Sequence, residues 1–281
     1  MKMQTTYFAN RRRRGALRKR IMGLLLVFCA GCAQPAVQEE SPAERAKKDL
    51  AVGIELARGL DAQLSFKQDA EISVYLRHIA KTLADATPSL RGGTVGTLII
   101  RDREGKWQNF ALPGNRIYLS AGLLKAVEFE NELAAAIAVE LGHVLRRHAL
   151  EKLQQNLEKI AQDEESSPEF SSTEGLPLLG NQPKKVDYFG TRGIFSFSKE
   201  DHAAAAQEAV GILYRAGFDP RGLAALWARF SKNPERSPYD LKTVEKLAET
   251  TRHAIARNAP LRNPVVRSQA FLSIQQRIRK L

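Results

Sequence analysis

The sequence has only two cysteines, Cys29 and Cys32, and both lie close to its start. The remaining 249 residues therefore form no disulfide and carry out no thiol chemistry. The two cysteines are spaced as C-x-x-C, a spacing found in metal and redox sites. They lie in an apolar segment without other metal ligands, however, which disfavours that interpretation.

Acidic residues are absent from residues 1–31, which contain eight Lys and Arg side chains. The formal net charge of +12 therefore comes mostly from this short segment. The rest of the chain has 35 basic residues (43 minus 8) against 31 acidic ones. A net charge of +4 on 250 residues is too small for a phosphate-binding surface, so we expect no nucleic-acid partner.

Long apolar runs are also missing from residues 1–31. The run IMGLLLVFCA has about ten residues, which is too short to span a bilayer and typical of a signal peptide that follows a basic segment. It leads into CAGC, which resembles the bacterial lipobox, although Cys29 stands where leucine is usual. The resemblance implies cleavage before Cys32 and acylation of that residue, with a transmembrane anchor as the alternative. Residues 1–31 are thus predicted to be a lipoprotein signal peptide.

The polar segment 32–42 contains two prolines and is predicted to be a tether between the lipid and the folded domain. Ala33, directly after the cysteine, resembles the sorting signal for the outer membrane. We therefore expect the protein in the bacterial cell envelope, on the periplasmic side, held to the membrane by its lipid and placed in the outer membrane.

Residues 43–281 are predicted to form one α+β domain that is mainly helical. Helical patterns cover 43–66, 69–86 with Asp69 as the N-cap, and 199–216 with Gly217 at its end. The segments TVGTLIIRD, WQNFALPG and IYLS are predicted strands of a small three-stranded sheet. Residues 163–192 are rich in Ser, Glu, Gly and Pro and are predicted to be a long polar loop, which is usually either a functional lid or disordered.

Three segments of the chain form a recognisable set: FALPGNRIYLSAGLL, ELAAAIAVELGHVLRRHA and FSKEDHAAAAQEAVGILYRAGFDP. In order and approximate spacing they resemble metallopeptidase family forty-eight, the gluzincins that include periplasmic and membrane-bound peptidases. The similarity covers about residues 50–225 and implies a zincin-like fold. It also implies a groove for an extended peptide along a sheet edge, which we place at Gly114, Ile117, Tyr118 and Leu119.

The family resemblance implies a zinc site that this sequence has lost. In the family, two histidines of an HExxH helix and a glutamate of a later helix hold the zinc. Val139 replaces the first histidine here, while Glu140 and His143 match the catalytic glutamate and the second histidine. Aligning AGFDP places Ala204 at the glutamate and Ala206 at a nearby aspartate.

Loss of two ligands is expected to weaken zinc binding by about four to six orders of magnitude. Glu200 and Glu208 lie about one turn on either side of Ala204, and His202 is expected to point about 200° away. We therefore expect no cofactor, and zinc only if other residues replace the lost ligands. Glu140 and His143 are expected to be remnants that hydrogen-bond each other, and His148 to lie on a solvated helix end.

These observations predict a catalytically inactive peptidase fold in an envelope lipoprotein. Its partners are the membrane, through the lipid on Cys32, and extended segments of envelope proteins. Its role would be peptide binding in protein assembly or quality control. The alternative is an active zinc metalloendopeptidase with unusual ligands.

Overall fold

The computed structural model describes residues 41–165 and 186–281. Cys32, the predicted signal peptide and most of the predicted loop 163–192 lie outside these ranges. The described helices are α1 (Pro42–Asp61), α2 (Ala70–Asp85), α3 (Ala121–Ala126), α4 (Glu130–Leu145), α5 (His148–Glu165), α6 (Lys199–Ala216), α7 (Arg221–Lys232), α8 (Leu241–Ala256) and α9 (Gln269–Ile278). The described strands are β1 (Phe66–Lys67), β2 (Gly96–Ile100), β3 (Phe110–Leu112) and β4 (Arg116–Ser120).

Capping residues set the ends of the helices that the sequence predicts. The Asp69 side chain accepts a hydrogen bond from the Ile72 amide at the start of α2, as predicted. Ser198 and Asp201 form a capping box at the start of α6. Gly217 ends α6 with a φ of 78°, a left-handed conformation that glycine adopts without strain.

The four strands form one mixed sheet in the order β1-β2-β4-β3. β2 and β4 are parallel, whereas β1 and β3 pair antiparallel to their neighbours. The sequence predicts three of these strands, and the two-residue β1 is an addition too short to show a periodic pattern. Since β1 and β3 are the outer strands, β4 is an interior strand of the sheet.

Side chains of the sheet alternate between two hydrophobic cores, one on each face. Ile117 and Leu119 of β4 contact the larger core, which includes α2, α4 and α6 to α9. Tyr118, between them, contacts a smaller core formed with α1 and α5. Both faces of the sheet are therefore covered, and the described residues, 41–165 and 186–281, belong to one compact unit. None of the described helices has the length and apolarity that crossing a membrane requires.

Candidate functional site

Helix α4 lies at the centre of the larger core and carries the HExxH-like segment. Every residue from Glu130 to His143 is buried. At Gly142 a Cβ atom would lie 2.4 Å from the carbonyl oxygen of Ala205, so the absence of a side chain lets α6 pack directly on α4. This close approach places the first turns of α6 beside His143.

Arg147 reverses the chain at the end of α4. Its φ of 59° is left-handed, which is uncommon for a residue other than glycine, and an ion pair of 2.6 Å with Asp49 holds its side chain. The turn brings His148, the first residue of α5, back against His143. His148 is 6% exposed, so it does not belong to the solvated helix end that the sequence predicts.

Three histidines form a chain of contacts with His143 in the middle. The Nδ1 atom of His143 lies 2.8 Å from Nδ1 of His148, and its Nε2 atom lies 3.2 Å from Nδ1 of His202. Phe197 stacks on the His143 ring at 4.4 Å between centroids. The chain continues to Asp201, whose Oδ1 atom is 3.9 Å from Nε2 of His148.

The contact of His202 with His143 corrects the assignment of Ala204 to the lost ligand position. Residues 202 and 204 point about 200° apart on a helix, so only one of them can face α4. The structure places His202 there. Ala206, one turn later on the same face, is fully buried in the larger core. His202 therefore occupies the position in α6 closest to the remnant histidine.

Burial controls the ionisation of these side chains. It holds the pKa of His143 well below its ordinary value and lowers the pKa of His202 to about 4. It also lowers the pKa of His148, against the opposing effect of Asp201. All three rings are thus neutral near pH 7, and a neutral ring has one donor and one acceptor nitrogen. His143 can therefore donate to one neighbour and accept from the other.

Glu140 is 4% exposed and lines a cavity beside these rings. Burial raises its pKa to about 8, so it is largely protonated at neutral pH. Within the described ranges its carboxyl group has no hydrogen-bond partner, which corrects the predicted bond between Glu140 and His143. Both ring nitrogens of His143 are instead directed at other histidines.

The cavity beside Glu140 has a volume of about 220 Å³. Its walls come from the chain entering β3, from α4 and α6, and from two segments between helices. The lining side chains include Asn109, Phe110, Ser196, Phe197, Pro238 and Tyr239. The lining thus combines aromatic and polar groups.

The predicted peptide-binding edge at Ile117, Tyr118 and Leu119 is wrong. These residues belong to β4, which pairs with β2 on one side and β3 on the other. The hydroxyl of Tyr118 also donates a 2.7 Å hydrogen bond to Asp61, so this side chain has a structural partner. Gly114 lies in the turn between β3 and β4, with a φ of 77°. The strand that borders the cavity is β3.

The donor set does not fit the zinc site of a peptidase. That site needs three protein ligands and a water, and the first ligand position holds the aliphatic Val139. His143 Nε2 and His202 Nδ1 face each other, but His148 approaches the opposite nitrogen of His143 and cannot join them on one ion. In the part of the chain that is described, no three side chains of suitable type are arranged to hold a metal.

Two members of the histidine cluster, His148 and His202, were not predicted from the sequence, for different reasons. His202, Ala206, Ala209 and Leu213 follow a helical spacing of three to four residues, and this face could have shown that His202 points toward the core. His148 had no comparable signal, because its position depends on the left-handed turn at Arg147.

Comparison with known proteins gives the same family as the motifs. The chain is 24% identical over 251 residues to the "Beta-barrel assembly-enhancing protease" of Yersinia pestis, covering 82% of this chain and 48% of the relative. The protein of that name from Escherichia coli K12 is 26% identical over 141 residues, 44% of this chain and 27% of the relative. The mitochondrial metalloendopeptidase OMA1 of Schizosaccharomyces pombe is 28% identical over 120 residues, 43% and 33% of the two chains.

The chain spans less than half of the length of each of these relatives. The family model "Peptidase family M48" matches residues 75–272, which include β2 to β4, α4 and α6. More than half of the sequence is therefore covered by one family model, and the α+β fold with a mainly helical core agrees with it. The chain belongs to peptidase family M48.

Proposed function

We propose that this protein binds extended segments of bacterial envelope proteins in a peptidase-type cleft without cleaving them, and that a lipid on Cys32 holds it at the membrane. The names of the bacterial relatives support a role in the assembly or quality control of envelope proteins. The basic and apolar segments before CAGC support export and acylation. The outer membrane is the proposed destination.

The histidine cluster carries the proposal that the protein is inactive. With Val139 at the first ligand position, His143 has lost its partner in the HExxH segment. Its two ring nitrogens contact His148 and His202 instead, in a linear chain that satisfies the ring without an ion. The protonated Glu140 is also a poor general base at neutral pH, because its carboxyl group already carries the proton it would have to accept.

The cleft beside this cluster supports peptide binding. No described strand pairs with the outer edge of β3, and the approach to this strand, residues 108–110, forms one wall of the cavity. An extended segment placed there could bond to the main chain, while aromatic walls at Phe197 and Tyr239 contact its side chains. The predicted peptide-binding site thus moves from β4 to the beginning of β3.

Two measurements, the zinc content of the protein and its cleavage of a substrate, test the proposal that it is inactive. The full chain, purified in a neutral detergent without chelators, should contain far less than one zinc per chain by elemental analysis. It should also leave unfolded casein intact over hours. Close to one zinc per chain, together with cleavage that a chelator stops, would show an active peptidase.

A photocrosslinking side chain at Gln108 tests the cleft in cells. It should capture envelope proteins, whereas the same side chain at the exposed Lys246 of α8 should not. Equal capture from both positions, or none from Gln108, would contradict binding at this wall of the cavity.

An active metalloendopeptidase with unusual ligands is the second candidate, and one observation favours it. His143 Nε2 and His202 Nδ1 are 3.2 Å apart, with Glu140 in the same cavity. Two nitrogens at this separation could share an ion if a third ligand came from elsewhere. The zinc measurement separates the two candidates. The inactive protein should contain far less than one zinc per chain, whereas the metalloendopeptidase should contain close to one.

A further inference from the structure

A second cavity, of about 340 Å³, is lined by cationic side chains from four separate parts of the chain. Lys67 comes from β1, Arg101 follows β2, Lys125 lies on α3, and Arg236 lies between α7 and α8. The indole of Trp107 forms an apolar wall and packs against Phe230, with ring centroids 6.4 Å apart. We name this group the cationic cavity.

The cations of this cavity lack acidic partners in the described residues. Some other cations of the fold have one: Arg116 pairs with Asp61, Arg147 with Asp49 and Arg229 with Glu132. By contrast, no described carboxylate lies within ion-pair distance of Lys67, Arg101, Lys125 or Arg236. Four like charges around one opening repel each other, and an anion in the opening would relieve that repulsion.

Asp102 is the one acidic side chain among the described residues of the lining, and its carboxylate stabilises the fold. Its Oδ1 atom accepts hydrogen bonds from the Ser120 hydroxyl at 2.7 Å and from the Gly122 amide at 2.8 Å. A Cβ atom at Gly122 would lie 2.0 Å from the other carboxylate oxygen, so the chain is closely packed on this group. Asp102 therefore stabilises the start of α3 and neutralises only part of the charge of the cavity.

The backbone that carries the cationic cavity is held by hydrogen bonds. The Trp107 amide donates to the Arg236 carbonyl at 2.7 Å, and the Arg101 amide donates to the Ser65 carbonyl at 2.8 Å. The Arg236 guanidinium donates to the Gly105 carbonyl at 3.3 Å. These contacts fix where the cations emerge from the fold and lower the entropic cost of binding an anion there.

The cationic cavity and the cleft beside Glu140 are lined by consecutive parts of the same two segments of the chain. Trp107 lines the former, and the next residues, 108–110, line the latter. On the neighbouring segment, which bonds to Trp107 through the Arg236 carbonyl, Arg236 lines the cationic cavity, whereas Pro238 and Tyr239 line the cleft. An extended peptide lying over residues 107–110 would therefore reach both cavities.

We propose that the cationic cavity is a carboxylate-binding subsite of the cleft, which selects extended segments that carry acidic side chains. This inference rests on the proposed peptide binding and specifies the class of peptide. Residues of an extended peptide are about 3.3 Å apart, so three residues of the bound peptide span roughly 10 Å along the wall. The acidic side chain would lie about three residues from the one opposite Phe110.

Two labelled peptides and two matched double variants test the subsite. The probes are blocked decapeptides of Thr, Val and Ser, labelled with tetramethylrhodamine, that differ only in a central Asp-Asp or Asn-Asn pair. With the full chain in neutral detergent, fluorescence anisotropy should show about tenfold tighter binding of the acidic peptide. The preference should shrink at high salt, because exposed charges are screened.

The variant Arg101→Gln with Lys125→Gln should lose this preference and still bind the neutral peptide as the parent does. The control, Lys246→Gln with Arg252→Gln on α8, removes the same charge from exposed positions outside the cavity and should keep the preference.

Equal binding of both peptides by the parent would overturn the subsite and leave peptide binding intact. An equal loss of preference in the control would also overturn it, since the effect would then reflect net charge alone. Failure of the parent to bind either peptide would overturn the proposed function, and the subsite with it.

Discussion

At the scale of residues, one substitution explains the arrangement around His143. A peptidase of this type has a histidine where this chain has Val139, and the fold has kept His143 as a neutral ring between two other histidines. Burying a polar ring without partners costs about 1–3 kcal/mol, so such contacts are what a buried remnant needs. The contact with His202 also identifies the side chain of α6 that could serve as a further zinc ligand.

Repair of the metal site tests this geometry. Val139→His should place a second imidazole one turn before His143, and together with His202 it completes three nitrogen ligands. We expect zinc binding by calorimetric titration to strengthen by at least two orders of magnitude over the parent. Adding Ala204→Glu should bring no further gain, because position 204 points away from α4.

The control for the repair is Val139→His combined with His202→Ala, which should bind zinc no better than the parent. The opposite result, a gain that needs Ala204→Glu and is independent of His202, would restore Ala204 as the ligand position and refute the assignment of His202.

The raised pKa of Glu140 predicts that the stability of the protein depends on pH. Its pKa rises from an ordinary value of 4.5 to about 8 on folding, so the folded state favours the protonated acid. Below pH 4.5 both states are protonated and the shift has no effect. As the pH rises from 4.5 to 8, the unfolded state loses its proton first and the free energy of unfolding falls, by on the order of 3 to 5 kcal/mol.

The variant Glu140→Gln should remove most of this decrease, because glutamine resembles the protonated acid at every pH. Urea unfolding at pH 5 and pH 8 measures the difference, with Glu249→Gln on the exposed face of α8 as the control. If Glu140→Gln loses as much stability between these two pH values as the parent, the buried carboxyl group is not protonated.

At the scale of elements, the contact between α4 and α6 brings the site together. α4 supplies Glu140 and His143, and α6 supplies His202. The two helices meet at Gly142, where the backbone of Ala205 occupies the space that a side chain would need. Close helix packing of this kind leaves little tolerance for added volume.

Gly142→Ala should therefore destabilise the protein by about 1–3 kcal/mol and separate His143 from His202. Gly211→Ala on α6 is the control, because its new Cβ would meet only the guanidinium end of the Arg215 side chain, at 3.1 Å, and no backbone. That change should be neutral or stabilising by up to about 1 kcal/mol, since alanine favours helix. Thermal unfolding of both variants measures the contrast, and an equal effect would show that Gly142 is not a close contact.

At the scale of the whole molecule, the proposed function requires a protein held at the envelope membrane. The part of the chain that would carry the anchor lies outside the described residues, so the lipid on Cys32 stays a prediction. Two or more acyl chains would give stable anchoring, whereas one chain alone binds a membrane only weakly.

The change Cys32→Ala should release the protein from the membrane fraction, and mass spectrometry should show the loss of the acyl chains. Cys29→Ala is the matched control and should leave both the fractionation and the mass of the mature protein unaltered. Membrane retention of Cys32→Ala without a change in mass would exclude the lipid anchor.

Features that depend on neighbours in the sequence were predictable for this protein. Asp69 and Gly217 mark helix ends because a side-chain cap and a left-handed glycine act within a few residues. The family could also be recognised from three segments, and the replacement at Val139 from its place within the second of them. These features need no knowledge of where distant parts of the chain meet.

Features that depend on distant contacts were decided by the tertiary structure. The pairing of β4 on both sides moved the peptide-binding edge to β3, and the left-handed turn at Arg147 turned His148 inward. The packing of α6 on α4 made His202, rather than Ala204, the neighbour of His143. The sequence by itself determined the family and the loss of one zinc ligand. Only packing decided which side chains now surround His143, because a helix presents a different residue every 100° and its neighbours select the face that is buried.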